Sequence, residues 1–210
     1  MPGAWAAAVL CGGASRRMGQ DKALLVVDGQ PMVRRVVTAA RDAGAASVIT
    51  VGGDQKGLVK ALAGLDVRVV PDRFPGEGPL GGVLTALDEL DAAGEADVVL
   101  VLSCDLLAPD PRTMATVAAA LTDPGAPRAA DVAVPRVAGR DQWLHAAWRN
   151  DRQTRERLAA PFADDERSVH RAVAQAGLAV RHLVDLATES LADADTPEDL
   201  RDLPGPDSRT

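Results

Sequence analysis

Cysteine is scarce: Cys11 and Cys104 are the two present, too few for a disulfide framework and without metal-site spacing. Tyrosine is absent, and two phenylalanines and three tryptophans complete the aromatic set, so the core must close on small aliphatic side chains, alanine above all. No apolar run is long enough for a membrane span, and the short patch opening at Trp5 has no basic segment ahead of it that would make it a leader. Positive charge is in deficit. A formal net charge of -7 argues against a nucleic-acid surface, which gains affinity by neutralising phosphates with lysine and arginine. These absences describe a soluble, cytoplasmic protein, and 210 residues suffice for one substantial core but not for two domains of ordinary size.

Two common phosphate motifs are missing as well. Gly19 and Lys22 are separated by Gln20 and Asp21, which rules out a P-loop, and Gly12-Gly13 with Gly19 does not have dinucleotide-fingerprint spacing. What stands in their place is Val9-Leu10-Cys11-Gly12-Gly13-Ala14-Ser15-Arg16-Arg17-Met18-Gly19-Gln20-Asp21-Lys22, directly after the apolar run Ala6–Leu10. The run has the look of a strand buried on both faces of a parallel sheet. Gly12 and Gly13 allow a sharp turn and a close approach to the backbone amides, and Arg16, Arg17 and Lys22 bring the positive charge that a triphosphate requires.

The rest of the chain alternates strands with helices, which predicts an α/β fold. Strands are expected at Ala6–Leu10, Ser47–Val51, Val67–Val70, Val98–Leu102, Val132–Pro135 and Leu178–Leu183. Helices are expected at Pro31–Ala43, Gln55–Ala63, Leu80–Leu90, Pro111–Leu121, Arg152–Leu158 and Val169–Gln175, with Pro31 and Pro111 in first turns and a last short helix opening at Thr196-Pro197-Glu198-Asp199. Residues 1–203 are read as one domain and 204–210 as a disordered tail. The segment Pro71 to Gly82 holds three prolines and four glycines between a strand and a helix, and is expected at the C-terminal edge of the sheet, where open α/β sheets bind ligands. Asp105 follows the strand ending at Leu102. It is placed either to hold a hard cation against phosphate oxygens or merely to cap a helix.

The string Leu10 to Lys22 resembles the first-loop signature of the nucleotidyltransferases related to molybdenum cofactor guanylyltransferase. Asp72 after Val69-Val70-Pro71, the run Gly78-Pro79-Leu80-Gly81-Gly82, Ser103-Cys104-Asp105 and Asp193-Ala194-Asp195-Thr196-Pro197-Glu198-Asp199-Leu200 agree with it, so the likeness covers nearly the whole chain. It implies a single-domain, Rossmann-like, three-layer α/β/α nucleotidyltransferase fold with a mostly parallel sheet. It further implies transfer of GMP from GTP to molybdopterin-bound molybdenum cofactor, with loss of pyrophosphate and with Mg2+ as cofactor. Arg16, Lys22 and Asp105 would be catalytic. Leu10, Cys11, Gly12, Gly13, Lys22, Val51, Asp72, Pro79, Leu80 and Asp105 would bind the nucleotide, and Arg140 and Gln142 the acceptor. The metal would sit on Asp105, with Asp195 or Asp193 as a second ligand, although a solvated acidic turn explains those two equally well because relatives often carry asparagines there. Apo-molybdoenzymes or delivery chaperones are further candidate partners.

Leu10-Cys11-Gly12-Gly13 and Gly78-Pro79-Leu80 fall on the guanine side of the resemblance, whereas Val51-Gly52-Gly53-Asp54 lacks the asparagine expected after the second strand. Any base contact there must come from backbone or from Asp54. Two alternatives stay open: cytidylyl or other nucleotidyl transfer to the same cofactor or to a sugar or alcohol phosphate, and a non-catalytic nucleotide-binding protein that delivers the cofactor. His145 is read as structural, since nucleotidyl transfer to a phosphate needs no base. Trp143 and Trp148 are either core or acceptor-facing, and Lys56, Arg136 and Arg171 are read as surface charge. Cys11 and Cys104 should lie side by side, most simply as inert core residues.

Overall fold

A computed structural model describes residues 4–12, 21–94, 96–123 and 130–193. The apolar run near the N-terminus forms β1 (Trp5–Leu10), buried throughout. Its side chains alternate between two apolar layers. Trp5, Ala7 and Val9 face one core cluster, and Ala6, Ala8 and Leu10 face the other. A strand with helices on both faces needs no polar positions, which is why period-two alternation is invisible in its sequence.

After a 3-10 turn at Lys22–Leu24 and a hairpin of β2 (Val26–Val27) and β3 (Gln30–Pro31), the chain runs through α1 (Met32–Asp42), β4 (Ser47–Val51), α2 (Gln55–Ala61), β5 (Arg68–Val70), α3 (Gly78–Ala92), β6 (Val98–Ser103) and α4 (Pro111–Thr122). The second half adds β7 (Val132–Val137), β8 (Arg140–Asp141), a 3-10 turn at Trp143–His145, β9 (Ala147–Arg149), α5 (Arg152–Ala163), α6 (Val169–Gln175) and β10 (Val180–Leu183). A 3-10 turn at Thr188–Leu191 ends the described elements. The main sheet is ordered β10-β7-β9-β6-β1-β4-β5, with β8 attached to β7. β1 pairs in parallel with β4 and β6, β5 with β4, and β10 with β7, while β9 is antiparallel to both β6 and β7. The result is a mostly parallel sheet between two helical layers, and no described helix is long and apolar enough to cross a membrane.

Each of the six expected strands and the six main expected helices is present, with ends shifted by a few residues. Three corrections concern what was not expected. Pro31 ends β3 and precedes α1 with extended ψ of 140° instead of opening the helix. The β2–β3 hairpin turns at Asp28-Gly29, both left-handed with φ of 50° and 76°, as an Asp-Gly hairpin requires. α5 runs on past Leu158 and through Pro161 to Ala163. The helix expected at Thr196 and the tail at 204–210 lie outside the described residues.

The parallel pairing matters most for function. Because β1, β4, β5 and β6 point the same way, the residues that follow them, Cys11-Gly12, Gly52-Asp54, Pro71-Asp72 and Cys104-Asp105, share one sheet edge.

Candidate active site

Asp105 follows β6, and Lys22 opens the turn that returns from the first loop. Their side chains meet, with Lys22 Nζ 3.2 Å from Asp105 Oδ2, both largely shielded from solvent. The Ser103 hydroxyl donates to the other carboxylate oxygen. The two catalytic candidates within the described residues are thus in contact although 83 residues separate them. Gly13, Arg16 and Arg17 lie outside the described residues, so their placement is not part of this geometry.

Gly12 completes the floor. A Cβ there would stand 3.8 Å from Asp72 Oδ2 and 3.9 Å from the Cα of Gly52, so three loops converge on one point. Asp72 is held from the other side, its Oδ1 accepting from the Phe74 amide at 2.9 Å and from the Thr85 hydroxyl at 3.1 Å. Thr85 sits inside α3, a partner that no loop motif signals. This arrangement points Oδ2 at Gly12 and fixes the carboxylate before any ligand arrives. Asp54, the other base-side carboxylate, accepts from the Lys56 amide at 3.2 Å and thereby caps α2, while Gly52 is buried with its amide donating to Val70 O and its carbonyl accepting from Gln55 Nε2, both at 3.0 Å, so Gly53 is the exposed glycine of that loop.

The side chains of Leu10, Val51 and Leu80 are buried in the core cluster under α3, away from the edge, and the Leu10 and Val51 carbonyls accept from the Cys104 amide at 3.2 Å and the Cys11 amide at 2.8 Å. Leu10 also supports the motif of α3 from below, since a Cβ on Gly82 would come 3.3 Å from its Cδ1. Pro79 stands in the first turn of α3, where a missing N–H costs nothing. Cys11 is buried and donates its amide to the Val51 carbonyl at 2.8 Å and its thiol to the Val9 carbonyl at 3.6 Å. The neighbouring Cys104 side chain, with burial and the nearby carboxylates of Asp21 and Asp105, pushes the Cys11 thiol well above its ordinary range. The two cysteines are neighbours, as expected, and their setting is that of inert core thiols.

Arg140 opens the short β8 paired with the end of β7 and Gln142 follows it, and the segment after them crosses to β6, where the Val101 amide donates to Ala146 O at 2.9 Å. Trp148 is wholly buried, which settles it as core, and Trp143 packs beside it with ring centroids 6.3 Å apart. Arg136 holds Asp141 at 2.7 Å and Arg171 holds Glu166 at 2.7 Å, so both serve surface ion pairs. His145 is buried, and its Nε2 lies 3.1 Å from Asp193 Oδ1. Asp193 itself bridges to Leu106, which brings this first residue of the closing motif against the loop that carries Asp105. Asp195 lies outside the described residues.

No group of three or more His, Cys, Asp or Glu side chains among the described residues could enclose a metal ion. A shielded carboxylate at a ligand-binding edge nevertheless fits a hard cation that draws its remaining oxygens from substrate phosphates and water, as Mg2+ does.

The MobA-like NTP transferase domain matches residues 7–183. The molybdenum cofactor guanylyltransferase of Rhodobacter capsulatus is 33% identical over 195 residues, 91% of this chain and 90% of that protein. A probable molybdenum cofactor guanylyltransferase of Methanothermobacter thermautotrophicus is 41% identical over 100 residues, a match spanning 47% of this chain and 48% of the relative's length. In fold, the crystal structure of molybdopterin-guanine dinucleotide biosynthesis protein A from Archaeoglobus fulgidus superposes with a TM-score of 0.72 at 19% identity, covering 93% of this chain and 94% of that one. The signature of the first loop, the three-layer fold and the matched domain agree, and the chain belongs to the MobA-like NTP transferase family.

Proposed function

We propose that this protein transfers GMP from GTP to the terminal phosphate of molybdopterin-bound molybdenum cofactor and releases pyrophosphate. The observation that carries the reading is the convergence of Lys22 and Asp105, 3.2 Å apart, beside Gly12 at the C-terminal edge of β1 and β6. An acceptor phosphate oxygen attacks the α-phosphorus of the triphosphate, a new P–O bond forms, and the bond to the β-phosphate oxygen breaks. A phosphate dianion is already a nucleophile, so the site needs charge and alignment instead of a general base. Lys22 and, from the first loop, Arg16 neutralise the triphosphate and the departing pyrophosphate, with the amides near Gly12 and Gly13 beside them. Mg2+ held by Asp105, with Asp193 or Asp195 as a candidate second ligand, supplies Lewis-acid stabilisation of the same oxygens.

On the base side, Asp72 Oδ2 is an acceptor for guanine N–H donors or a ribose hydroxyl, and the exposed backbone of Gly53 takes the place of the missing asparagine. Arg140 and Gln142 face the acceptor. Pyrophosphate release measured with GTP and with CTP against molybdenum cofactor tests this reading, GTP being the faster donor. Faster turnover with CTP would move the protein to the cytidylyl alternative. GTP binding without pyrophosphate release would make it a silent delivery protein, with apo-molybdoenzymes or chaperones as its partners.

A further inference from the structure

Asp21 stands in the first-loop motif directly before Lys22, and neither phosphate neutralisation nor base recognition assigns it a role. Its two carboxylate oxygens go to different parts of the fold. Oδ1 accepts from the Ala23 amide at 3.0 Å and so caps the 3-10 turn that begins at Lys22. Oδ2 accepts from the Asp54 amide at 2.9 Å, across 33 residues, in the loop between β4 and α2. That loop lies hard against the end of β1: a Cβ on Gly53 would stand 3.0 Å from both Cβ and O of Cys11 and 3.1 Å from Asp21 Oδ2. Asp54 then caps α2 through the Lys56 amide, so a continuous line of bonds runs from the turn of Lys22 to the first turn of α2.

A cap needs one acceptor oxygen, and serine or asparagine supplies it as well as aspartate does. The second oxygen is therefore surplus to capping, and it is the one that reaches the opposite loop. We propose that Asp21 is a positioning residue that fixes the distance between the triphosphate-holding Lys22 and the Gly52-Asp54 loop facing the base, and so governs nucleoside recognition more than phosphate binding. The inference rests on the reading of the protein as a nucleotidyltransferase whose donor spans these two loops.

Capping and bridging separate experimentally. In Asp21→Ser the hydroxyl still caps the Ala23 amide but is too short for Asp54. Asp21→Asn keeps one carbonyl acceptor for the cap, as asparagine does at helix starts, and turns its NH2 toward the Asp54 amide. Calorimetric titration of the full chain with GTP and with inorganic tripolyphosphate, each with Mg2+, reads the difference. For both variants GTP affinity should fall about tenfold, the worth of one charge-assisted hydrogen bond. Tripolyphosphate, which does not reach the base loop, should stay within about twofold of wild type, since each variant retains the cap. In turnover the same variants should raise KM for GTP with little change in kcat. Wild-type GTP affinity in Asp21→Ser would show that Asp21 is only a cap, and an equal loss for both ligands would show that it acts on the phosphate side. A wild-type protein that prefers CTP would overturn the donor assignment separately, and the split would then be measured with CTP.

Discussion

Gly53 offers a measurable test of how tightly the first and second ligand loops are pressed together. Its φ of +72° is left-handed, and so is the +84° of Gly64 in the turn after α2, but a Cβ on Gly64 meets nothing within 4 Å. Alanine at Gly64 therefore incurs only the left-handed penalty, about 1–2 kcal/mol. At Gly53 the new methyl meets the Cys11 carbonyl oxygen and Cβ, neither of which can swing away as the tip of a long side chain can. Overpacking of that kind adds about 1–3 kcal/mol, for a total of roughly 2–5 kcal/mol. For a chain of this length each kcal/mol moves Tm by about 2–4 °C, so Gly64→Ala should melt roughly 2–8 °C below wild type and Gly53→Ala roughly 4–20 °C below. Thermal unfolding by circular dichroism measures both. The Asp21 carboxylate must also retreat from the new methyl, so GTP affinity should fall in Gly53→Ala and stay unchanged in Gly64→Ala. Equal melting temperatures for the two variants would refute the close packing of the loop on β1.

Asp105→Ala should lower pyrophosphate release about 100- to 1000-fold while far-UV circular dichroism stays native, the loss expected when charge stabilisation is removed at a transferring phosphate; near-wild-type release would refute the metal assignment. Lys22→Ala and Arg16→Ala should each weaken GTP binding and slow turnover more than Arg17→Ala does, and a titration ranking Arg17→Ala as the most damaging would reverse the roles in the loop. Glu166 is hydrogen-bonded by Arg171, Ser168 and Arg167, which lowers its pKa from the ordinary 4.5 to about 2. Its stabilising contribution is therefore complete above about pH 4.5 and disappears as pH falls toward 2, so the Tm gap between wild type and Glu166→Gln should close over that window in a melting series. Cys11 and Cys104 should resist alkylation at pH 8 in the native protein and react freely once it is unfolded; rapid native labelling would contradict the raised thiol pKa of Cys11.

How far each feature was legible depends on whether its cause is local. The strand Ala6–Leu10 could be read because both its faces meet apolar layers, which leaves an uninterrupted apolar run in the sequence. β9 could not, because Ala147-Trp148-Arg149 is too short to display a period, and its place between β6 and β7 is decided by pairing alone. The β2–β3 hairpin carried its Asp-Gly turn openly, but strands of two residues gave that turn nothing to join. Among site residues, chemical type was legible and proximity was not. Lys22 and Asp105 each carry a charge suited to phosphate or metal, yet their contact follows from the parallel register of β1 with β6, in which Leu10 stands opposite Ser103.

The same distinction explains the residues whose roles the structure narrows. Leu10, Val51 and Leu80 fall within motifs proposed to face a nucleotide, but the layers on either side claim their side chains, so these positions shape the edge from beneath. Asp72 follows the opposite course. Two of its contacts are made through Oδ1 to Phe74 and to Thr85 on α3, which spends one oxygen on orientation and aims the other at Gly12. An acceptor already held in place loses little conformational freedom when the nucleoside binds, so its hydrogen bond contributes more of its strength to discrimination between bases. On the proposed reading, selectivity at this edge is built from α3 as much as from the loop, and a substitution at Thr85 should loosen base choice by freeing Asp72. Thr85→Val, which keeps the volume and removes the hydroxyl, should narrow the GTP-over-CTP ratio while leaving tripolyphosphate affinity at the wild-type level. An unchanged ratio would mean that the Phe74 amide alone is sufficient to hold the carboxylate.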